Sequence, residues 1–260
     1  MAPRAQNLLK YLSFRLVVSI PAAPVALWKP INSIWGEVLR IGLPAGGELV
    51  ILAIYLMIVY SLIRSFGASA QAGFGIGARV MQSLFLPALA VGMAAAPVAG
   101  QNFGARSATR VRQSFYAALT IACSAMLVTT LLCQWFAEPL IRFFFKDPAV
   151  IAVGADYLRV ISFTFVATAA IFATSSMFQG MGNTFPPLLS SSLRLVLFTI
   201  PVLILSRTPH FSIRQIWFFS AFSVFVQAVT NIFLVRREFE RKLTFLPTEE
   251  TSQLVASVPQ

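Results

Sequence analysis

The chain has 260 residues, 57% of them hydrophobic and 11% charged, with 20 Lys and Arg against nine Asp and Glu for a net charge of +11. Soluble domains carry about 25% charged residues, so this composition, with a mean hydropathy of +0.77, excludes an ordinary soluble protein. One His and two Cys exclude a disulfide scaffold, a Cys/His zinc site and a haem-type His cluster, and leave His210 as the sole base for a Ser-His-Asp or Cys-His triad.

Taken in chain order, Met1–Lys10 is basic and Phe14–Leu27 apolar, which superficially resembles a signal peptide. Arg15, Pro21 and Pro24 interrupt that stretch and no clear cleavage site follows. Residues 1–36 therefore read as a linker or interfacial segment. Residues 37–243 hold six apolar runs, Leu43–Ile63, Val80–Ala99, Phe115–Phe136, Val160–Phe178, Phe185–Ser206 and Ile216–Val235. A helix needs about 20 apolar residues to cross a hydrocarbon core of about 30 Å, and all six qualify. None alternates with period two, which argues against a membrane β-barrel. The expected fold is an all-α polytopic bundle of six spans. Its connections, Arg64–Arg79, Gly100–Ser114, Ala137–Arg159, Gln179–Thr184 and Arg207–Gln215, are too short for a soluble domain. Residues 244–260 form a polar tail with Pro247, Glu249 and Glu250, expected to be disordered.

Because the basic residues lie between apolar runs, they read as loop charges that orient a membrane protein and meet anionic lipid, not as a nucleic-acid groove. With the N-terminus in the cytoplasm, 13 of the 20 Lys and Arg fall on that side, Arg194 counted among them as a charge near the start of its span. The bias places both termini in the cytoplasm, the chain crossing the plasma (inner) membrane.

Glu48 is the one acid inside a span. An intramembrane acid can carry a proton or ligate a cation, and is a functional candidate by default. The alternative is structural: four residues after Pro44, it can serve the positive end of a helix and reach water. Tyr55, Tyr60, Gln82, Thr168, Gln227 and Asn231 are uncharged polar groups within the spans. Such groups either line a polar cleft or make ordinary interhelical hydrogen bonds. The second span is dense in Ala and Gly and carries Pro87 and Pro97, so it suits close packing and bending. It runs into Gly100-Gln101-Asn102-Phe103-Gly104-Ala105-Arg106, where Gly104 suits a helix stop. No phosphate-binding loop of the form GxxxxGK[ST] is present, so ATP-driven pumping has no support. Cys123 and Cys133, ten residues apart on one helix, stand about 15 Å apart and cannot bridge. The scarcity of His and of acidic pairs argues against a membrane-embedded enzyme.

At these residues the sequence resembles the C-terminal half of a multidrug and toxic compound extrusion (MATE) transporter. Gly42-Leu43-Pro44 followed by Glu48 resembles the opening of the family's seventh helix. Pro87, Gly92 and the Gly100, Gln101, Asn102 and Gly104 loop resemble its eighth helix and "GQN-x-GA" element. Gln179-Gly180-Met181-Gly182-Asn183-Thr184 with Pro186 resembles the loop after the tenth helix. The likeness runs from about Trp35 to Lys242. It implies one of two six-helix bundles around a cleft, no cofactor, and alternating-access antiport of an organic cation against H⁺ or Na⁺. Cation–π contact and an acid would suit such a substrate. The family has twelve spans where this chain has six, so a second six-helix bundle is an implied partner. Where some members carry an Asp in the tenth helix, this chain has Thr168, which leaves a sodium site built on that Asp without its ligand. Two other readings stand beside antiport: a flippase for lipid-linked saccharides, which needs a basic cleft, and a non-transporting truncated or regulatory subunit.

Overall fold

The computed structural model describes residues 32–244, and every regular element among them is helical. The helices are α1 (Asn32–Ile63), α2 (Ala68–Leu84), α3 (Leu86–Gly104), α4 (Ala108–Arg142), α5 (Pro148–Ser162), α6 (Phe165–Gly180), α7 (Phe185–Leu205) and α8 (Ile213–Lys242), with a 3-10 turn at Arg64–Phe66. The expected linker lies outside the described residues up to residue 31, and α1 begins at Asn32; the expected tail lies outside them from residue 245. The chain divides into two compact units between Arg40 and Ile41, and the packing below is that of the second.

Four helices are individually long and apolar enough to cross a membrane, and the pairs α2–α3 and α5–α6, bent by 45° and 56°, bring the number to six when each pair is one span. The sequence placed Arg64–Arg79 and Ala137–Arg159 in connections. Most of both is helical, because small residues such as those of Ala68–Gly77 continue a helix without presenting a long apolar run. The first break falls at Phe85, two residues before Pro87, where the ring removes a backbone donor. The second break, at Phe163 and Thr164, has no proline. There, three of the four carbonyls at the end of α5 find other donors. The Gln134 amide donates to Arg159 O at 2.7 Å, the Thr164 hydroxyl to Ile161 O at 2.7 Å, and the Thr130 hydroxyl to Ser162 O at 2.9 Å. A helix end inside a bilayer persists only when its freed backbone groups are satisfied in this way. α5 itself starts on Asp147, which accepts from the Ala149 N–H at 2.9 Å, with Pro148 in the first helical position. α8 starts in a capping box of Ser212 and Gln215. α4 runs past its expected end to Arg142, kinked at Phe136 ahead of Pro139.

The two bent pairs cross each other at backbone contact. A methyl group on Gly180 would stand 2.6 Å from Ala96 O, and one on Gly73 2.8 Å from Val150 O, so α3–α6 and α2–α5 approach as closely as they do only with glycine there. Beside the second crossing, Phe74, Tyr157 and Trp217 form a buried aromatic cluster with centroids 4.9–5.6 Å apart. Outward faces are apolar: Leu43, Met57, Met93, Trp135 and Phe233 are all more than 60% exposed, as a lipid-facing surface requires. One end of the bundle gathers Phe103, Val111, Met181, Val235 and Phe239 into a small core, and around it sit Arg106, Arg110, Arg112, Arg236, Arg237, Arg241 and Lys242.

Candidate functional site

A polar seam runs through the interior between α1, α6, α7 and α8. At one end stands the Glu48 carboxylate, which accepts from Ser191 at 3.2 Å and from Ser175 at 3.4 Å. The Ser191 hydroxyl in turn accepts from the Gln227 amide at 2.9 Å, and Gln227 Oε1 accepts from Arg194 Nη1 at 3.4 Å. Every donor in this chain, Arg194 to Gln227 to Ser191 to Glu48, points from the cation toward the acid, so the links polarise one another in the same sense. The Arg194 guanidinium also lies 4.7 Å above the Tyr55 ring, a cation–π contact that is worth most when desolvated. Tyr55 is fixed by a 2.6 Å hydrogen bond between its hydroxyl and Ser220, and by the edge of Phe198, 4.8 Å away. The spacing follows from helical repeat. Glu48 and Tyr55 are two turns apart on one face of α1, as are Ser220 and Gln227 on α8, and Ser191, Arg194 and Phe198 step along one face of α7.

Two expectations are corrected here. Arg194 is not near an end of its span: it is the tenth of the 21 residues of α7, and it faces inward onto Tyr55 and Gln227. Removing it from the orientation count leaves the basic bias in the same direction. Glu48 does not sit at a helix start, since α1 passes unbroken through Pro44. The helix-dipole explanation for this acid therefore falls, and its partners are serine hydroxyls.

Of the other candidates, Tyr55 and Gln227 join the seam. Asn231, one turn beyond Gln227, is wholly buried, and neither atom of its amide has a partner among the described residues. Gln82 is exposed. Thr168 is half-buried and its hydroxyl donates to Thr164 O of its own helix at 2.9 Å; neither residue reaches the seam. Tyr60 is exposed and packs its ring on Phe74. In the loop motif, Gly100 lies against Gly180, where a methyl would meet Gly180 O at 3.2 Å. Gln101 is exposed, and Asn102 ties α3 to α4 by donating to Val98 O at 2.9 Å and Ser114 at 3.3 Å. Gly104 ends α3 as expected, yet Arg106 is the residue with a left-handed φ, 54°. Among the described residues no group of three His, Cys, Asp or Glu is placed to hold a metal. Sequence reasoning passed over Ser175, Ser191, Ser220 and Arg194 as site residues. The signal for Arg194 was its distance from both ends of an apolar run.

An all-helical bundle with apolar outer faces and its polar groups gathered within is a multi-pass membrane protein. The chain belongs to the MatE family, whose profile matches residues 44–205. It is 29% identical over 151 residues to the probable multidrug resistance protein YpnP of Bacillus subtilis, covering 57% of this chain and 34% of that one. It is 23% identical over 168 residues to a protein of Shewanella oneidensis named FAD transporter, covering 65% and 37%. Its fold matches that of a solved multidrug resistance MATE family transporter of the MOP superfamily in an outward-facing conformation, with a TM-score of 0.80 at 21% identity, covering 91% of this chain and 54% of the other. The chain thus spans about a third of the length of the curated relatives it matches and about half of the solved one.

Proposed function

We propose that this chain forms one bundle of a secondary exporter in the inner membrane, with both termini cytoplasmic, that expels organic cations in exchange for H⁺ or Na⁺. The observation that carries this reading is the Glu48 seam: an acid held inside a membrane bundle by serine hydroxyls alone, with an aromatic side chain and an unpaired buried carboxamide close by on the same helix faces. The carboxylate supplies a site for the coupling ion, and its hydroxyl partners can reorient as its charge changes. A second bundle would complete the cleft, and the exposed apolar face of α1, with Leu43, Leu49 and Met57, offers it a surface. The test is efflux of a fluorescent organic cation from cells or everted vesicles carrying the protein. Glu48→Gln is expected to lower ion-driven efflux at unchanged membrane insertion. Undiminished efflux by a correctly inserted variant removes Glu48 from the mechanism.

A second reading rests on Arg194. A fixed cation in mid-span favours a solute with an anionic group, the class to which a phosphate-bearing dinucleotide or a lipid-linked saccharide belongs. Under that reading Arg194→Gln abolishes uptake or efflux of the anionic solute, whereas under the first it lowers cation export without abolishing it.

A further inference from the structure

A cavity apart from the seam opens at the basic end of the bundle, between the first turn of α7 and the last turns of α8. Its volume is about 290 Å³, and Asn183, Phe185, Pro186, Leu234, Arg237 and Arg241 are among the residues that line it, together with Glu238. Glu238 is nearly buried, and its carboxylate is already engaged: Lys242 lies 3.1 Å from Oε1 and the Asn183 amide donates to the same atom at 2.8 Å. Lys242 is further held by Met181 O at 3.1 Å. Arg237 and Arg241 are both exposed, and neither makes an ion pair or a side-chain hydrogen bond among the described residues. They are four residues apart on one face of α8, about 6 Å along its axis. The cavity therefore presents two guanidinium groups free of ion pairs and side-chain hydrogen bonds among the described residues, over an acid already paired with Lys242, and a phosphate offers enough oxygens to engage both guanidinium forks at once.

The depth of the cavity narrows the ligand. The apolar run of α8 ends at Val235, and that of α7 begins at Phe185. Leu234, Pro186 and Phe185 thus lie on the hydrocarbon side of the cavity, and Arg237 and Arg241 on the water side. Phe185 is 62% exposed, and Leu189, one turn further into the membrane on the same face of α7, is 58% exposed. A ligand resting here meets cations at one end and an apolar, lipid-facing strip at the other. A free inorganic anion would use half of that surface. We propose that this cavity is a headgroup site for an anionic phospholipid of the adjacent leaflet, its phosphate held by Arg237 and Arg241 and its glycerol and first acyl carbons laid on Phe185 and Leu234. The site is distinct from the general attraction between a basic membrane surface and acidic lipid, because it involves two residues among the seven cations at this end. Clamping the start of α7 to the end of α8 also fixes the two helices that carry Ser191, Arg194 and Gln227.

Native mass spectrometry of the protein released from nanodiscs of equal parts phosphatidylglycerol and phosphatidylcholine tests this directly. The expected result is one phosphatidylglycerol retained per chain in preference to phosphatidylcholine. Arg237→Gln with Arg241→Gln is expected to weaken retention about 25-fold, about fivefold for each cation lost near the surface. Arg237→Lys with Arg241→Lys, which keeps the charge but not the bidentate geometry, falls between. Arg110→Gln with Arg112→Gln, on the same end but outside the cavity, leaves retention unchanged; each variant is first shown to be monodisperse and helical. Equal losses in the two Gln double variants overturn the proposal in favour of diffuse charge attraction. No preference for phosphatidylglycerol overturns it outright. Displacement of the lipid by millimolar inorganic phosphate overturns the lipid as the occupant and assigns the cavity to a soluble anion.

Discussion

Gln227→Leu is the most informative single change in the seam, because it cuts the link between Arg194 and Ser191 while adding no charge. Gln227 makes one good hydrogen bond, at 2.9 Å to Ser191, and one long one, at 3.4 Å from Arg194. Interhelical hydrogen bonds in membrane bundles average about 0.6 kcal/mol and reach about 1.7 kcal/mol, so the bonds alone predict a loss of about 1 kcal/mol. The larger effect is on the neighbour left behind. Arg194 Nε is already buried without a partner, and without Gln227 the guanidinium keeps only the Tyr55 ring at 4.7 Å. A buried, under-satisfied charged donor adds about 1–3 kcal/mol, which brings Gln227→Leu to about 2–4 kcal/mol. Arg194→Met removes the charge that would be stranded. The double variant is therefore expected to be at least about 1 kcal/mol more stable than Gln227→Leu alone. Equilibrium unfolding in mixed detergent micelles for the wild type, both single variants and the double variant gives the coupling directly. Additivity within about 0.5 kcal/mol refutes the argument that Arg194 is held in the seam through Gln227.

Gly180→Ala is expected to destabilise the bundle by about 1–3 kcal/mol of overpacking, since the new methyl meets backbone atoms at 2.6 and 3.1 Å that cannot rotate away. Gly104→Ala, with nothing within 4 Å of the added carbon, should be neutral or slightly stabilising; thermal unfolding in detergent ranks the two, and the reverse order refutes the crossing geometry. Gln134→Leu removes a donor from the carbonyl end of α5 and should cost about 1 kcal/mol in the same assay, with faster amide exchange confined to the α5–α6 bend; protection unchanged there means that the bend holds itself. Tyr55→Phe deletes the 2.6 Å bond to Ser220 but keeps the ring under Arg194, so its transport activity should exceed that of Tyr55→Ala by up to about 30-fold, the ratio for a desolvated cation–π contact of about 2 kcal/mol; equal activities exclude the ring contact from function.

Hydropathy made the six spans legible, because a bilayer crossing leaves a run of about 20 apolar residues whatever the fold. It did not reveal that two of the spans are each two helices. The Phe85 break has a local cause in Pro87, which the sequence displays. The Phe163–Thr164 break has no proline: beside its own Thr164 it stands on Gln134 and Thr130, which reach it from α4, 25 to 32 residues away in sequence. A break stabilised mainly by a neighbouring helix leaves in its own residues only the Thr164 hydroxyl on Ile161 O, which any helical threonine could mimic. The same holds for the helical stretches read as connections, since Ala and Gly favour close crossings without raising hydropathy.

The site divides along the same line. Glu48 was legible because an acid in an apolar run is costly enough to demand a reason. Tyr55 and Gln227 were legible as candidates but not as partners, since pairing between α1, α7 and α8 is set by the rotation of each helix about its axis. Arg194 was visible and misplaced: counted as a charge near the start of its span, it belongs to the middle of α7, the tenth of 21 residues. Its meaning is set by what surrounds it, a ring below, a carboxamide beside, and a carboxylate two hydrogen bonds further on. That arrangement makes Arg194 and Glu48 ends of one charge-bearing chain. A proton or cation at Glu48 would compete with Ser191 for the carboxylate lone pairs, and a Ser191 hydroxyl that turns away is a less polarised acceptor for Gln227, which in turn accepts from Arg194. A charge change at Glu48 is therefore expected to alter how Arg194 is held, through side-chain hydrogen bonds alone. Gln227 and Ser191 are the two side chains through which the charge at either end of this seam bears on the other.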